Sequence, residues 1–141
     1  SLFSNANLVI APGVIMEFET GSGIYVNTSR SLKAVGTLPN PIIFRGVNPG
    51  PGAWRRIYFE GNNSLNEIGY AIVSGGGEDP TNTKGSVFTW YNATLNIHDV
   101  EFNDNLACGV YVRISGTTPN PNYTSSNLTF NNNTCDETSG N

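Results

Sequence analysis

Apolar and polar residues alternate in short segments along this chain, and this period of two predicts β-strands. In residues 14–20 one face takes the apolar residues Val14, Met16 and Phe18, while the other takes Ile15, Glu17 and Glu19. Similar short segments lie at 8–10, 24–27, 32–35, 42–44, 54–59, 68–73, 87–91, 95–102, 109–114 and 128–130. Since no segment repeats apolar residues at helical spacing over three turns, we expect an all-β protein with almost no helix.

Two of these segments can be aligned with each other, Val100–Asn105 (VEFNDN) and Leu128–Asn133 (LTFNNN), and they lie 28 residues apart in the sequence. Each places apolar residues at alternate positions and then turns on asparagine. Repetition with a period of 20–50 residues is typical of stacked units. The alternation would put Val100 and Phe102 inside together and Ile97 outside, so a bend is expected near His98.

The turn residues favour a parallel stack over an antiparallel sandwich. Asn, Gly and Pro together make up 44 of the 141 residues. The strongest hairpin signals, Asn-Gly and Asp-Gly, are absent from the sequence. Asparagine tolerates the left-handed conformation of tight corners, and stacked asparagines can hydrogen-bond from one rung to the next. We therefore expect a β-solenoid, with turns at Asn105 and Asn133 and a core that includes Phe18, Val26, Phe44, Phe59, Ile72, Phe102 and Phe130.

Length and charge narrow the class of protein. A chain of 141 residues is expected to form one domain, residues 1–141, with 1–7 as an extended N-terminal tail. The net charge is −4, the pI is about 4.7, and Arg55-Arg56 is the only basic pair, so nucleic acid is not an expected partner. No apolar run reaches 18 residues, so no membrane span is expected. No signal peptide is visible at Ser1, which indicates a mature chain or a piece of a longer one.

The two cysteines are expected to form a disulfide. With the 28-residue register, Cys135 falls one residue away from the position directly above Cys108, and neighbouring rungs lie about 4.8 Å apart. A bridge would place the protein in an oxidising compartment, outside the cell or on its surface. The alternative is two buried free thiols.

Six Asn-x-Ser/Thr sequons make asparagine glycosylation a second prediction for an extracellular chain. The alternative is that turn asparagines form sequons because threonine is a common strand residue. The six candidate acceptors are Asn27, Asn62, Asn92, Asn122, Asn127 and Asn132.

A resemblance to a known family rests on several segments. Leu8–Phe18 (LVIAPGVIMEF) resembles one rung of the right-handed parallel β-helix proteins that bacteria secrete. The similarity continues, in order, through 23–26, 32–37, 41–44, 54–59, 70–76, 95–105 and 109–112, and in all it extends from about residue 8 to residue 133. It implies a right-handed parallel β-helix of five or six coils. It does not imply one function, because the family includes polysaccharide lyases, glycoside hydrolases, adhesins and passive surface proteins.

The resemblance also suggests where a glycan-cleaving site would lie, because such proteins carry clustered carboxylates on an outer strand face. The best cluster is Asp99, Glu101 and Asp104, with Arg113 about one strand later. The alternative is that these are ordinary solvated residues. The signatures of the pectin hydrolases are missing, and His98 is the only histidine, so neither a catalytic triad nor a multi-histidine zinc site is expected.

No cofactor is expected, although carboxylates at Glu78-Asp79, or at Asp99 and Asp104, would be the places for Ca²⁺. Exposed aromatic residues offer a sugar-stacking surface, with half of them packed in the core as the alternative. The aromatic candidates are Tyr25, Trp54, Tyr58, Trp90, Tyr91 and Tyr111.

Neither end of this chain shows a capping helix, and an open solenoid end presents unpaired backbone groups and apolar core residues. Either the chain is a piece of a longer β-helix, or its end is covered by another copy or by a donated strand, for which residues 1–6 are the candidate. Repeated head-to-tail contact would give a filament or surface array. The sequence therefore predicts a non-enzymatic extracellular protein with a structural or adhesive role. The alternative is a module that binds or cleaves polysaccharide through the face of Asp99 and Glu101.

Overall fold

The computed structural model describes residues 2–4, 6–78, 84–116 and 119–141, with only the backbone given for 2–4. No helix occurs in these ranges, and all regular structure is β. The strands are β1 (Leu2–Ser4), β2 (Asn7–Ile10), β3 (Ile15–Phe18), β4 (Ile24–Val26), β5 (Ser31–Val35), β6 (Ile42–Gly46), β7 (Ile57–Phe59), β8 (Glu67–Ser74), β9 (Gly85–Thr89), β10 (Thr94–Asn103), β11 (Cys108–Arg113), β12 (Asn122–Asn131) and β13 (Cys135–Gly140).

The strands form two parallel sheets. Sheet A has the order β1-β4-β7-β9-β11-β13, and sheet B has the order β12-β10-β8-β5-β2, with β3 and β6 completing its first two rows. The chain passes from one sheet to the other and back, so each strand pairs with a strand of the next coil. The fold is a parallel β-solenoid of about five turns, as the sequence predicts.

The core lies between the two sheets and follows the alternation in the sequence. Most inward side chains are apolar and pack on the equivalent residues of the coils above and below. Inward rows of large side chains include Phe44, Val73, Phe102 and Phe130 on sheet B, and Val26, Phe59 and Thr89 on sheet A. Each side chain therefore removes apolar surface from water on both of its neighbours in the row.

The bend expected near His98 is confirmed, and it recurs in neighbouring coils. Asp99 has a φ of 53°, and both Ile97 and Phe102 point into the core on either side of it. Tyr70 and Asn127, which flank Asp99 in the stack, have φ values of 44° and 52°. A single residue in this conformation acts as a bulge that restores the inward alternation and turns its own side chain outward.

A second left-handed position forms the corner after sheet B. Gly75, Asp104 and Asn132 stack there with φ values of 69°, 51° and 54°. The next inward residue is the buried Asn105, whose Nδ2 donates to Asn133 Oδ1 at 2.7 Å and whose Oδ1 accepts from Gly76 N at 2.8 Å. The predicted turns on Asn105 and Asn133, with asparagines bonded from rung to rung, are confirmed.

The structure corrects several details of the predicted strands, and it has a further strand, β13, beyond the last predicted segment at 128–130. The predicted strand 54–59 is only Ile57–Phe59, and Trp54 lies in the turn before it, fully buried and stacked on Phe18 with ring centroids 4.6 Å apart. Ile72 faces outward, because the bulge at Tyr70 shifts the alternation so that Ala71 and Val73 point inward. After the corner at Asp104, the spacing between equivalent residues of the last two coils falls from 28 to 27 residues.

Cys108 consequently pairs directly with Cys135 in register, rather than one residue away from it, and the two form a disulfide. The bridge joins β11 to β13, the last strand of sheet A. At the other end of the chain, β1 lies beside β4 in the same sheet.

Candidate functional site

The outer face of sheet B carries a groove built on the row of bulges. Tyr70, Asp99 and Asn127 line it, together with the outward row of Ile72, Glu101 and Thr129. In the second coil, the position equivalent to Tyr70 is taken by the longer segment 36–41. Three residues of this segment, Thr37, Leu38 and Pro41, line one side of the groove. Its volume is about 330 Å³ and it is open to solvent.

His98 lies between two carboxylates beside this groove. Its Nδ1 is 2.9 Å from Asp99 Oδ2 and its Nε2 is 3.0 Å from Glu67 Oε1, while Lys33 Nζ lies 3.6 Å from Glu67 Oε2. Partial burial opposes the charged imidazolium, but the hydrogen bonds with Asp99 and Glu67 outweigh it and raise the pKa of His98. The hydrogen bonds from His98 and Asn127 lower the pKa of Asp99.

The structure brings Asp99 and Glu101 together in the groove, but it separates them from the other two residues of the predicted cluster. Asp104 lies at the corner, where its Oδ1 accepts from Asn132 Nδ2 at 2.7 Å. Arg113 belongs to β11 in sheet A, and its guanidinium lies 4.2 Å from the ring centroid of Trp90. No basic side chain of that cluster therefore faces Asp99 and Glu101.

Each of these carboxylates makes a side-chain hydrogen bond to a neighbour. Asn127 Nδ2 donates to Asp99, and Asn103 Nδ2 donates to Glu101 at 2.7 Å. A glycosidase needs one carboxyl group kept protonated as the general acid, whereas the pKa of Asp99 is lowered. Within the described ranges no three His, Cys, Asp or Glu residues are grouped as a metal site. Of the Ca²⁺ candidates, Asp79 lies outside those ranges, and Glu78 Oε2 accepts from Gly21 N at 2.6 Å.

The outer face of sheet A carries a row of four aromatic rings. Tyr25, Tyr58, Phe88 and Tyr111 occupy equivalent positions in β4, β7, β9 and β11, and the centroids of successive rings are 4.8, 5.1 and 6.0 Å apart. Phe88 and Tyr111 are buried, and Tyr25 and Tyr58 are half-buried. The sequence-based list of aromatic candidates lacks Phe88, although its position in the alternation of β9 could have found it.

A second aromatic group lies at the corner after sheet A. The rings of Trp90 and Tyr91 stack with centroids 4.2 Å apart, and Arg113 covers Trp90. Tyr91 is 36% exposed and has a φ of 54°, a conformation that is costly for a bulky residue. Of the predicted aromatic surface residues, Trp54 is therefore in the core, while the other five lie on or beside the outer face of sheet A.

Glu60 joins the row of rings to this corner. Its Oε2 accepts from the hydroxyl of Tyr25, and its Oε1 accepts from the hydroxyl of Tyr58 at 3.1 Å. A recess of about 310 Å³, lined by Thr28, Glu60, Tyr91 and Asn92, opens beside the carboxylate. Burial and the neighbouring Glu60 carboxylate raise the pKa of both tyrosines, so their hydroxyls stay protonated as donors.

All six sequon asparagines are exposed. Asn27, Asn62 and Asn92 lie in the turns that leave sheet A in three successive coils. Asn122 begins β12, and Asn127 and Asn132 are the outermost members of the bulge and corner stacks. Their exposure is compatible with glycosylation, which stays a prediction.

The class of protein that these observations define is a disulfide-containing parallel β-solenoid, with a groove on the outer face of sheet B and a row of aromatic rings on the outer face of sheet A. Comparison with known proteins finds no matching family model, no matching curated protein and no matching solved structure. In the part of the chain that the structure describes, no helix is long and apolar enough to cross a membrane.

Proposed function

We propose that this chain is a non-enzymatic extracellular solenoid with a structural or adhesive role. The observation that carries the proposal is the arrangement of the carboxylates. Asp99, Glu101 and Asp104 each bond to a neighbouring side chain, and Arg113 covers Trp90 on the other sheet. Asp99 and Asp104 bond to asparagines of the next coil, and Glu101 bonds to Asn103 of its own strand. The lowered pKa of Asp99 disfavours it as a general acid.

The proposed location outside the cell is supported by the disulfide between Cys108 and Cys135, because such bonds persist in oxidising compartments. The bridge fixes the last coil, which buries less apolar surface than the coils before it. Detection of the bridge by mass spectrometry of protein recovered under non-reducing conditions would support this placement, and recovery of two free thiols would contradict it.

We also propose self-association of the solenoid end to end. At one end the inward positions Leu8, Val14 and Met16 are only partly buried, and at the other end the same is true of Leu128 and Phe130. Stacking one end of a molecule on the other end of the next would bury these apolar residues at both ends. Such a heterologous contact, repeated from molecule to molecule, would give an open filament. Negative-stain micrographs should show rods longer than one solenoid, whereas monodisperse short particles at all concentrations would contradict the proposal.

The alternative function is binding or cleavage of polysaccharide in the groove of sheet B. The specific observation in its favour is the row of bulges at Tyr70, Asp99 and Asn127, because bulges often redirect side chains beside functional sites. A glycan array together with a reducing-sugar assay separates the two functions. We expect no release of reducing ends from any polysaccharide. Turnover that Asp99→Asn or Glu101→Gln abolished would establish the enzymatic alternative and refute our proposal.

A further inference from the structure

We propose that the recess at Glu60 and Tyr91 is a binding site for a neutral pyranose sugar at the end or side of a glycan chain. The inference rests on the adhesive role proposed above and gives that role a ligand class. It places the sugar at the corner of sheet A, away from the groove of Asp99 and Glu101.

The first observation is a carboxylate held in a fixed orientation. Tyr25 and Tyr58 each donate a hydroxyl hydrogen bond to one oxygen of Glu60. A carboxylate has about four acceptor sites, so each oxygen keeps capacity for a further donor. Glu60 also lines the recess, where two neighbouring sugar hydroxyls could donate to its two oxygens. Hydrogen bonds to a charged acceptor are roughly twice as strong as those between neutral groups.

The second observation is the strained backbone of Tyr91. Its φ of 54° is unfavourable for a tyrosine, and asparagine would adopt this conformation at lower cost. In this conformation Tyr91 lines the recess, and its ring stacks on Trp90, which Arg113 covers in turn. Trp90 and Arg113 thus support a ring that stays partly exposed to solvent.

Together these groups match the chemistry of a neutral sugar. A pyranose presents apolar C–H groups on one face, which suit an aromatic ring, and hydroxyl donors at its edge, which suit a carboxylate. Thr28 and Asn92 add hydroxyl and amide groups to the lining. A sugar acid is disfavoured, because its carboxylate would approach Glu60 with like charge and none of the described residues that line the recess is a cation.

The test uses the full chain with its disulfide, produced in a host without N-glycosylation so that the sequon at Asn92 stays unmodified. The probes are hexasaccharides of glucose, mannose and galactose, with a hexasaccharide of galacturonic acid as the charged comparison. Binding is followed by tryptophan fluorescence, because Trp90 contacts Tyr91 whereas Trp54 is fully buried. Isothermal titration calorimetry provides the dissociation constants.

We expect at least one neutral hexasaccharide to bind and the galacturonate not to bind. Tyr91→Asn removes the ring and keeps the backbone conformation, and Glu60→Gln removes the charge and keeps the shape. Each should weaken binding about tenfold or more. Tyr91→Asn should also leave the unfolding midpoint unchanged or higher, which a merely structural role of the ring would not produce.

Tyr70→Asn is the matched control, since Tyr70 is also an aromatic residue with positive φ but belongs to the groove of sheet B. It should leave the dissociation constant unchanged. The inference is overturned if no neutral hexasaccharide binds, if only the galacturonate binds, or if Tyr70→Asn weakens binding while Tyr91→Asn does not. None of these results bears on whether the protein cleaves polysaccharide, which the reducing-sugar assay tests separately.

Discussion

At the scale of single residues, side chains that repeat from coil to coil satisfy polar groups that the turns leave unpaired. Asn105 is 2% exposed, and it connects Val73 O and Gly76 N of the coil before it to Asn133 of the coil after it. A buried backbone N–H without a partner is costly, so a corner of this kind needs an amide side chain that both donates and accepts.

Asn105→Ala should therefore lower the free energy of unfolding by about 3 kcal/mol, because Gly76 N and Val73 O lose a partner inside the protein. Urea denaturation measures the change. Asn131→Ala is the control: its Nδ2 makes a similar rung-to-rung bond to Asn103 but is exposed, so a loss of about 0.5 kcal/mol or less is expected. Equal losses in the two variants would show that burial does not decide the effect.

A close contact with His98 explains why position 69 is a glycine. The imidazole of His98 lies directly over Gly69, and a Cβ at that position would overlap the ring. Gly69→Ala should cost about 1–3 kcal/mol of stability through overpacking. The double variant with His98→Ala should recover most of that loss, and Gly116→Ala, with open space around it, should have little effect. A double variant no more stable than Gly69→Ala alone would contradict the contact as the cause.

The pair of hydrogen bonds at His98 makes stability depend on pH. A histidine whose folded pKa is raised stabilises the fold fully below its ordinary pKa of 6.5, and the contribution is lost as pH rises through the folded value. For Asp99 the lowered pKa gives a contribution that is present above 3.8 and is lost as pH falls through the folded value. The unfolding free energy of the wild type relative to His98→Gln should thus be largest between these ordinary values.

Thermal denaturation of both proteins from pH 3 to pH 9 measures this difference. The titratable groups that face His98 or its partners are Lys33, Glu67, Asp99 and Tyr70. Lys33→Gln serves as a control, because it removes a nearby charge without removing the imidazole. A difference between wild type and His98→Gln that does not change with pH would show that the imidazole stays neutral.

At the scale of strands, the last coil differs from the others. In β12 and β13 most outward and several inward positions are exposed, whereas every residue of β9 is buried. The disulfide compensates, because it ties β13 to β11 across a sequence separation of 27 residues. In the chain-entropy model such a loop contributes about 3.5 kcal/mol.

Replacing both cysteines by serine should release the last coil before the rest of the molecule. Amide hydrogen exchange should show loss of protection in β12 and β13, with β7 and β9 still protected, because each coil contacts only its neighbours. The intact protein provides the comparison. Loss of protection throughout the solenoid at the same rate would show instead that the five turns unfold as one unit.

At the scale of the whole molecule, the two ends of the solenoid are not alike. The inward row of the first coil is apolar, but in the last coil Glu137 follows Val110 in the inward row of sheet A. Its carboxylate accepts from the hydroxyls of Tyr123 at 3.1 Å and Ser125 at 3.2 Å, across the interior from sheet B. End-to-end stacking would bury this carboxylate against Leu8 and its neighbours, which opposes association.

Glu137→Gln should therefore shift the assembly toward longer rods at equal protein concentration, because the neutral amide costs less to bury than the carboxylate. Sedimentation velocity over a range of concentrations measures the shift. Glu101→Gln changes the net charge equally at an exposed position on the outer face of β10, away from both end faces, and should have little effect. If both variants assemble to the same extent, the net charge of the protein determines association, and the end face that carries Glu137 is not the contact surface.

The sequence by itself determined the periodic features of this protein. Alternation of apolar residues, the repeat at Val100 and Leu128, and the absence of hairpin signals predicted the parallel solenoid, its asparagine corners and all but one of the proposed inward residues. These features could be predicted because every coil repeats the same arrangement of strands and corners. The pattern of apolar residues in one segment therefore also describes the equivalent segment of the next coil. The bend at Asp99 was readable for the same reason, since a strict period of two could not bury both Ile97 and Phe102.

Only the tertiary structure decided where irregular residues lie. Trp54 precedes its strand, so the period of two did not apply to it, and Ile72 faces outward because a bulge at Tyr70 shifted the alternation. The register of Cys135 depended on a one-residue shortening at a corner. The recess at Glu60 unites residues of three coils, and its place depends on how turns of unequal length stack. Local patterns fix which side of a strand a residue faces, whereas the stacking of turns fixes which side chains meet.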